Sequence, residues 1–219
     1  MEQELIRMMI YDLSLPFSVD MSVFPGTPSM KYQLTHTVEK DNYNLGLATI
    51  NSHAGTHTDA PSHFLQNGAG LGDVPLERYV GSAVVVDCTA KGDAFARIEK
   101  EDFFPYEALI REHGKVLVKT GWSRYADQER FYTDYPVVTE SCADYLVSLG
   151  VHLVGVEAPS LNPEKYIEVH KTLLSNNVAI VESLTYLDKL PSAVVFFSGA
   201  PLNLAGGDGF PIRAYAIVF

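Results

Sequence analysis

Apolar residues run almost without a break through Ala83-Val84-Val85-Val86 inside Gly81–Cys88. A run this short and this rich in valine predicts a strand buried on both faces. Shorter apolar runs predict further strands at Met8–Leu15, Leu47–Ser52, Lys115–Thr120, Val151–Glu157, Val178–Val181, Ala193–Phe197 and Arg213–Phe219. Elsewhere the apolar spacing lengthens to three and four. Phe104, Ala108 and Leu109 predict a helix over Glu101–His113, with Gly114 as its stop. Ala143, Leu146 and Val147 share one face of a second helix, which Thr139 can cap and Gly150 can end. Tyr166–Leu174 suits a third. Three helices interleaved with strands predict an α/β protein with mixed β-sheets.

The polar stretches are loops by their residue types. Pro16–Tyr32 is rich in Pro, Ser and Gly, and Phe24-Pro25-Gly26-Thr27-Pro28 marks a turn at its centre. Phe24 suits a core anchor or a pocket wall, and the residue alone does not decide. Gly121–Tyr125 is an aromatic loop. Gln66–Pro75 carries Gly68, Gly70 and Gly72 but lacks the GxGxxG spacing of a phosphate cradle. No repeat, low-complexity tract or linker interrupts the chain, so one domain over residues 1–219 is expected.

Composition narrows the field. A chain of 219 residues, 47% of them hydrophobic, can bury one good core. Its net charge of −11 argues against a nucleic-acid surface. No apolar run reaches transmembrane length. Met1–Ile10 carries Glu2 and Glu4 and lacks a signal-peptide pattern, so a cytoplasmic protein is expected. Cys88 and Cys142 stand far apart with no CxxC arrangement, which predicts two reduced core thiols.

The chemistry is concentrated in Asn51–Phe64, NSHAGTHTDAPSHF. His53, His57, Asp59 and His63 place three of the seven histidines and one carboxylate within eleven residues. Imidazole nitrogen and carboxylate oxygen are both divalent-metal ligands. The four positions share strand parity. A straight strand, however, would hold His53 and His57 about 13 Å apart at roughly 3.3 Å per residue. Two nitrogens on one ion lie within about 4 Å of each other, each roughly 2.1 Å from the metal. The chain must therefore bend, and Gly55 is placed to allow it. Among the other histidines, His113 fits a solvated helix end, and His36 and His152 have no ligand-type partner. His170 precedes the Val178–Val181 strand, which delivers Glu182 after four apolar residues. A charge there is either paired or binds metal, and both readings of His170 and Glu182 stay open at this level. No GxSxG elbow is present, so no acyl-enzyme is expected.

The stretch His53-Ala-Gly-Thr-His-Thr-Asp-Ala-Pro-Ser-His-Phe64 resembles the HxGTHxDxPxHF signature of the cyclase family of metal-dependent hydrolases. That family includes bacterial kynurenine formamidases and isatin hydrolases. Further likeness lies in Phe24-Pro-Gly26, Thr120-Gly-Trp122, Val154–Ser160, the spacing of His170 and Glu182, and Gly207–Arg213. The resemblance implies a compact domain with a swivelling β/β/α, barrel-like β core flanked by helices, usually dimeric. It implies two divalent ions, zinc or alternatively manganese. His53, His57 and Asp59 would hold one, His170 the second, with Asp59 and Glu182 bridging and His63 moving the proton. The implied substrate is a small aromatic amide, formamide or lactone, with no nucleic-acid or membrane partner. N-formylkynurenine is the first expectation, a cyclic amide or lactone the second; a non-catalytic metal-binding domain is the contrasting one. The chain departs from the family pattern at four places. Glu157 stands for the common Asp, Ser183 for a frequent Asn, Phe24 for the Trp of formamidases at a substrate-stacking position, and His170 lacks the second adjacent His of some formamidases.

Overall fold

The computed structural model describes residues 8–219. The leader reading of the first seven residues lies outside them. The strands in chain order are β1 (Met9–Asp12), β2 (Lys31–His36), β3 (Leu45–Thr49), β4 (His57–Asp59), β5 (Val80–Asp87), β6 (Arg97–Ile98), β7 (Lys115–Lys119), β8 (Val137–Val138), β9 (Leu153–Val156), β10 (Ala179–Glu182), β11 (Val194–Ser198), β12 (Gly209–Pro211) and β13 (Tyr215–Val218). The α-helices are α1 (Val38–Asp41), α2 (Glu107–His113), α3 (Glu140–Ser148) and α4 (Tyr166–Ser175).

Nine strands form one mixed sheet in the order β1-β13-β11-β5-β7-β9-β10-β4-β12. Its centre, β5-β7-β9-β10, is parallel, and both wings are antiparallel. Alternation along each central strand sorts the core into two faces. Val84, Val86, Val116, Val118, Val154, Val156 and Ile180 pack with Ile110, Leu146 and Leu173 of α2, α3 and α4. Ala83, Val85, Leu117, Leu153 and Val181 face the other way, toward Leu13, Phe197 and Ala214. Among the described residues no α-helix joins that second core, which the curled sheet and the 3-10 turns carrying Leu71 and Leu187 enclose. The chain after β1 meets the chain after β10 through a Ser14–Leu184 bridge, and Thr185 N donates to Leu13 O at 3.0 Å. The segment linking β12 to β13 crosses from one edge of the sheet toward the other, and Ile212 N donates to Thr56 O at 2.9 Å. A half-barrel with helices on one side results, as the mixed-sheet and barrel-like expectations require.

Most elements lie where the apolar pattern puts them. Thr139 caps α3 by accepting from Cys142 N at 3.2 Å, and Cys88 and Cys142 are free and buried. Glu101–His113 is a helix only in its second half. Lys100–Tyr106 is 3-10, because Pro105 supplies no N–H, and α2 begins at Glu107. The Leu47–Ser52 strand is shifted to Leu45–Thr49, and it pairs only with β2 in an exposed ribbon. Trp122–Tyr125 is a 3-10 turn rather than an irregular loop. No helix among the described residues is long and apolar enough to cross a membrane.

One buried carboxylate ties together the loops above the parallel strands. Glu157, just after β9, is 1% exposed. It accepts hydrogen bonds from Thr120 N (2.7 Å), Gly121 N, Ser123 Oγ (2.9 Å) and Thr120 Oγ1 (3.3 Å). This departure from the family Asp therefore keeps a full set of partners. Glu157→Ala strands several buried donors, and a loss of about 2–3 kcal/mol in unfolding free energy is expected by urea denaturation. A change within about 0.5 kcal/mol would show that the carboxylate holds nothing together.

Candidate metal centre

The sequence cluster is built around β4, a strand of three buried residues. His57 and Asp59 are two apart on it and share a face. Antiparallel β10 lies alongside, with Glu182 directly opposite His57 and Ile180 opposite Asp59. Cross-strand pairing thus sets His57 Nε2 3.4 Å from Glu182 Oε2 and 3.5 Å from Asp59 Oδ1. Before β4 the chain turns at Gly55, whose φ of +61° suits glycine. That bend brings His53 Nδ1 to 3.0 Å from Asp59 Oδ1. After β4, Pro61 opens a 3-10 turn that ends at His63. The His63 ring stacks on His53 with centroids 3.9 Å apart. The common strand parity of the four residues therefore operates only for His57 and Asp59; a turn places His53 and a 3-10 turn places His63.

His170 comes from α4. Its neighbours Val169 and Leu173 anchor the helix in the core. The ring stacks on Phe64, and Nε2 lies 3.1 Å from Glu182 Oε1 and 3.6 Å from Asp59 Oδ2. The open question about His170 and Glu182 is answered geometrically: both stand in the cluster. The remaining histidines do not. His36 stacks on Tyr43, His113 ends α2, and His152 accepts from Arg78 at 2.6 Å.

Side-chain orientation is fixed from behind. His57 Nδ1 donates to Gly55 O at 2.9 Å and His170 Nδ1 to Tyr166 O at 2.6 Å. A carbonyl only accepts, so both rings carry a proton on Nδ1 and point Nε2 inward. Burial opposes ionisation of Asp59, but the His53 hydrogen bond and the nearby His57 and His170 outweigh it and hold the carboxyl well below its ordinary value. Burial and Asp59 likewise oppose a charged Glu182, and His170 and His57 more than offset them. Two ionised carboxylates are thus sealed at 1% and 4% exposure.

Charges so sealed need every polar atom around them partnered. His57 Nε2 and Asp59 Oδ2 are buried with no hydrogen-bond partner. Orphaned acceptors of this kind, nitrogen and carboxylate oxygen together, fit a divalent cation. Three groups of three ligand atoms lie close enough to hold one: His53, His57 and Asp59; Asp59, His170 and Glu182; and, nearer the surface, His53, His63 and Asp208. Asp59 belongs to the two buried groups.

Sequence reasoning missed Asp208. It quoted the residue inside Gly207–Arg213 but gave it no role. Its Oδ2 lies 2.9 Å from His53 Nε2 and 3.7 Å from His63 Nδ1. Next to it, Gly209 leaves the space where a Cβ would stand 2.5 Å from His53 Cε1. An Asp between glycines reads as turn chemistry, which hid it. His53 thus lies between two carboxylates, and burial notwithstanding, Asp59 and Asp208 raise its imidazole to about 9.

The cluster opens onto a cavity of about 510 Å³ walled by Phe24, Phe64, Tyr132, Tyr135 and Tyr166. Phe24 is 39% exposed and meets Tyr132 edge-on, so it is a pocket wall and not a core anchor.

The model of the family described as putative cyclase matches residues 11–163, more than half of the chain. The chain belongs to the cyclase family. The kynurenine formamidase of Bacillus cytotoxicus is 30% identical to this chain over 206 residues, 93% of this chain and 94% of that protein. A predicted metal-dependent hydrolase from Bacillus stearothermophilus superposes with a TM-score of 0.78 at 30% identity, over 96% of this chain and 98% of that one. An isatin hydrolase bound to the product analogue thioisatinate superposes with a TM-score of 0.85, over 96% and 92% of the two chains. At 23% identity, this last likeness speaks for the fold.

If Asp208 orients His53 for a cation from outside the ligand set, Asp208→Asn weakens cation binding to the protein by about 10–100-fold. Competition of zinc against a chromophoric chelator reads this directly. Unchanged affinity would leave Asp208 with no part in the centre.

Proposed function

We propose that the chain is a metal-dependent hydrolase of small aromatic formamides and amides, with N-formylkynurenine, cleaved to kynurenine and formate, as its first candidate substrate. One observation carries this reading. The Glu182 carboxylate, His57 and His170 line an aromatic cavity, and the sealed Asp59 carboxylate stands against both rings. Similarity to a kynurenine formamidase over nearly the whole chain supports it.

In this reading His53, His57 and Asp59 would hold one divalent ion, and His170 and Glu182, sharing Asp59, would hold a second. Zinc is the first choice and manganese the alternative, since nitrogen and oxygen ligands suit both. When bound, such ions lower the pKa of water and polarise a carbonyl. The chain does the rest. Phe24, Tyr132 and Tyr166 pack a flat ring and exclude water from it. His63 stands at the rim with its side chain 30% exposed, beside Asp208 and within the cavity lining. There its imidazole takes a proton as water attacks the carbonyl carbon and returns it to the departing nitrogen, so that the C–N bond breaks to amine and carboxylate. Residues 1–219 act as one domain in the cytoplasm. The β2–β3 ribbon, with Tyr32, Leu34, Leu45 and Leu47 all about half exposed, is the face that a second copy covers in a homodimer.

Cyclic amides or lactones are the second reading. Phe24 favours it, because it offers a smaller face than Trp and leaves room for a fused ring.

His63→Ala is expected to keep bound metal and thermal stability while turnover of aryl formamides falls about 10²–10⁴-fold. Metal content, melting temperature and formate release are measured on the same preparation. Metal and stability lost together would make His63 a structural ligand and the domain a metal-stabilised scaffold. Formate release from metal-loaded wild type that stays undetectable with every aryl formamide, while a cyclic amide or lactone is opened, would replace the first reading with the second.

A further inference from the structure

One wall of the aromatic cavity has no regular structure. Residues 16–27, between β1 and β2, form neither strand nor helix, yet they carry Phe24 and Thr27, which line the cavity. Irregular segments of this length in a compact domain are typically lids or binding loops. Burial of side chains does little to anchor this one, because Phe17, Val19 and Phe24 are all exposed. Met21 rests on the bend before β4, where a Cβ on Gly55 would stand 3.0 Å from its Cε. The segment's own hydrogen bonds are local turns: Met21 N donates to Ser18 O at 3.2 Å and Thr27 N to Phe24 O at 3.1 Å.

Its two ends are tied down. Leu15 N donates to Thr56 Oγ1 at 2.8 Å, and Asn51 Nδ2 donates to Pro28 O at 3.3 Å. Between those ties, among the described residues, one hydrogen bond joins the segment to the rest of the chain: Tyr132 Oη donates to Ser22 O at 2.6 Å. Tyr132 is a firm post for it. The residue ends a 3-10 turn, Glu129–Tyr132, whose Phe131 is fully buried. Phe131 O accepts from Trp122 Nε1 at 3.2 Å, and the Phe131 ring meets Tyr132 edge-on with centroids 5.0 Å apart. Burial pushes the Tyr132 phenol up to about 12, so its hydroxyl remains a donor across neutral pH. Phe24, two residues past Ser22, meets the same ring edge-on at 6.0 Å. A single side chain thus holds the segment by its hydroxyl and carries Phe24 against its ring.

We propose that Tyr132 is a positioning residue, whose hydrogen bond to Ser22 fastens residues 16–27 as a strap across the aromatic cavity. Breaking that bond lets the strap lift Phe24 from the mouth, with the ties at Leu15 and Pro28 as its hinges. One hydrogen bond shifts such an equilibrium by a factor of only about two to ten. The fastening is therefore weak enough to open for entry and release, and a flat ring packed against Phe24 favours the closed form. The strap's part in substrate binding rests on the function proposed above; its fastening by Tyr132 does not.

Tyr132→Phe keeps the ring and its contact with Phe24 and removes the hydroxyl alone. Two measurements on metal-loaded protein test the strap. In hydrogen–deuterium exchange, the amides of residues 16–27 are expected to exchange about two- to tenfold faster than in wild type, with exchange elsewhere unchanged. In steady-state kinetics, with whichever aromatic amide wild type turns over, KM is expected to rise at least about twofold while kcat does not fall. That rise should vanish when Phe24 is already Ala, because the hydroxyl acts only through Phe24. Unchanged exchange at residues 16–27, faster exchange throughout the chain, a KM that does not move, or an equal KM rise without Phe24 would each overturn the strap. Faster exchange confined to residues 16–27, in a protein that turns over no aromatic amide, would uphold the fastening and count against the proposed reaction instead.

Discussion

The structure is constrained above all by two carboxylates buried side by side. Asp59 and Glu182 lie on neighbouring antiparallel strands, nearly closed to water. Each isolated ion so placed costs several kcal/mol unless opposite charge and hydrogen bonds compensate it. Three imidazoles lie against the pair, from a turn, a strand and a helix. Backbone carbonyls of Gly55 and Tyr166 orient His57 and His170, and Asp208 orients His53. Two acceptor atoms of the cluster, His57 Nε2 and Asp59 Oδ2, stay unpartnered, and a divalent cation suits that mixed nitrogen and oxygen set.

The scaffold is suited to hold that constraint. Four parallel strands end in line, and the loops that leave them converge. Thr120-Gly121 follows β7, Glu157 follows β9, and Glu182 closes β10. Functional residues gather at carboxyl ends of parallel strands because the loops there are free of the sheet's own hydrogen bonds. Glu157 locks the first two loops together, so Pro159 and Ser160 line the cavity from a fixed position. The antiparallel wing adds what a parallel sheet cannot. It sets β4 against β10 in register, so that ligands from distant parts of the sequence meet across one strand pair.

The centre was legible in the sequence to the extent that residue type carries chemistry. His53, His57, Asp59 and His63 declared themselves because four ligand-type residues around a Gly and a Pro have no easy packing explanation. Glu182 declared itself as a charge after an apolar strand. What the sequence did not show is whatever depends on partners. β4, β6, β8 and β12 are two or three residues long, too short for a period to register. Strand order was invisible for the same reason. The exposed β2–β3 ribbon was half seen, since Leu45 and Leu47 carry strand character whatever they pair with. Asp208 lay in a glycine-rich segment, where an Asp serves turns. Only the crossing of β12 beside β4 brings it to His53.

Solvent divides the centre into two parts. His57 and His170 have side chains 4% and 3% exposed, while His63 and Asp208 reach 30% and 49%. Sealed groups cannot trade protons with water quickly, but their charge acts at full strength because little solvent screens it. Groups at the rim have weaker fields and ready exchange. Holding charge and exchanging protons make opposite demands on burial, and one short stretch of chain offers both environments. From Gly55 to Phe64 the backbone passes through the floor as β4 and climbs out through the 3-10 turn at Pro61. The proline, by ending the strand after Asp59, is what separates a dry ligand from a wet histidine four residues later.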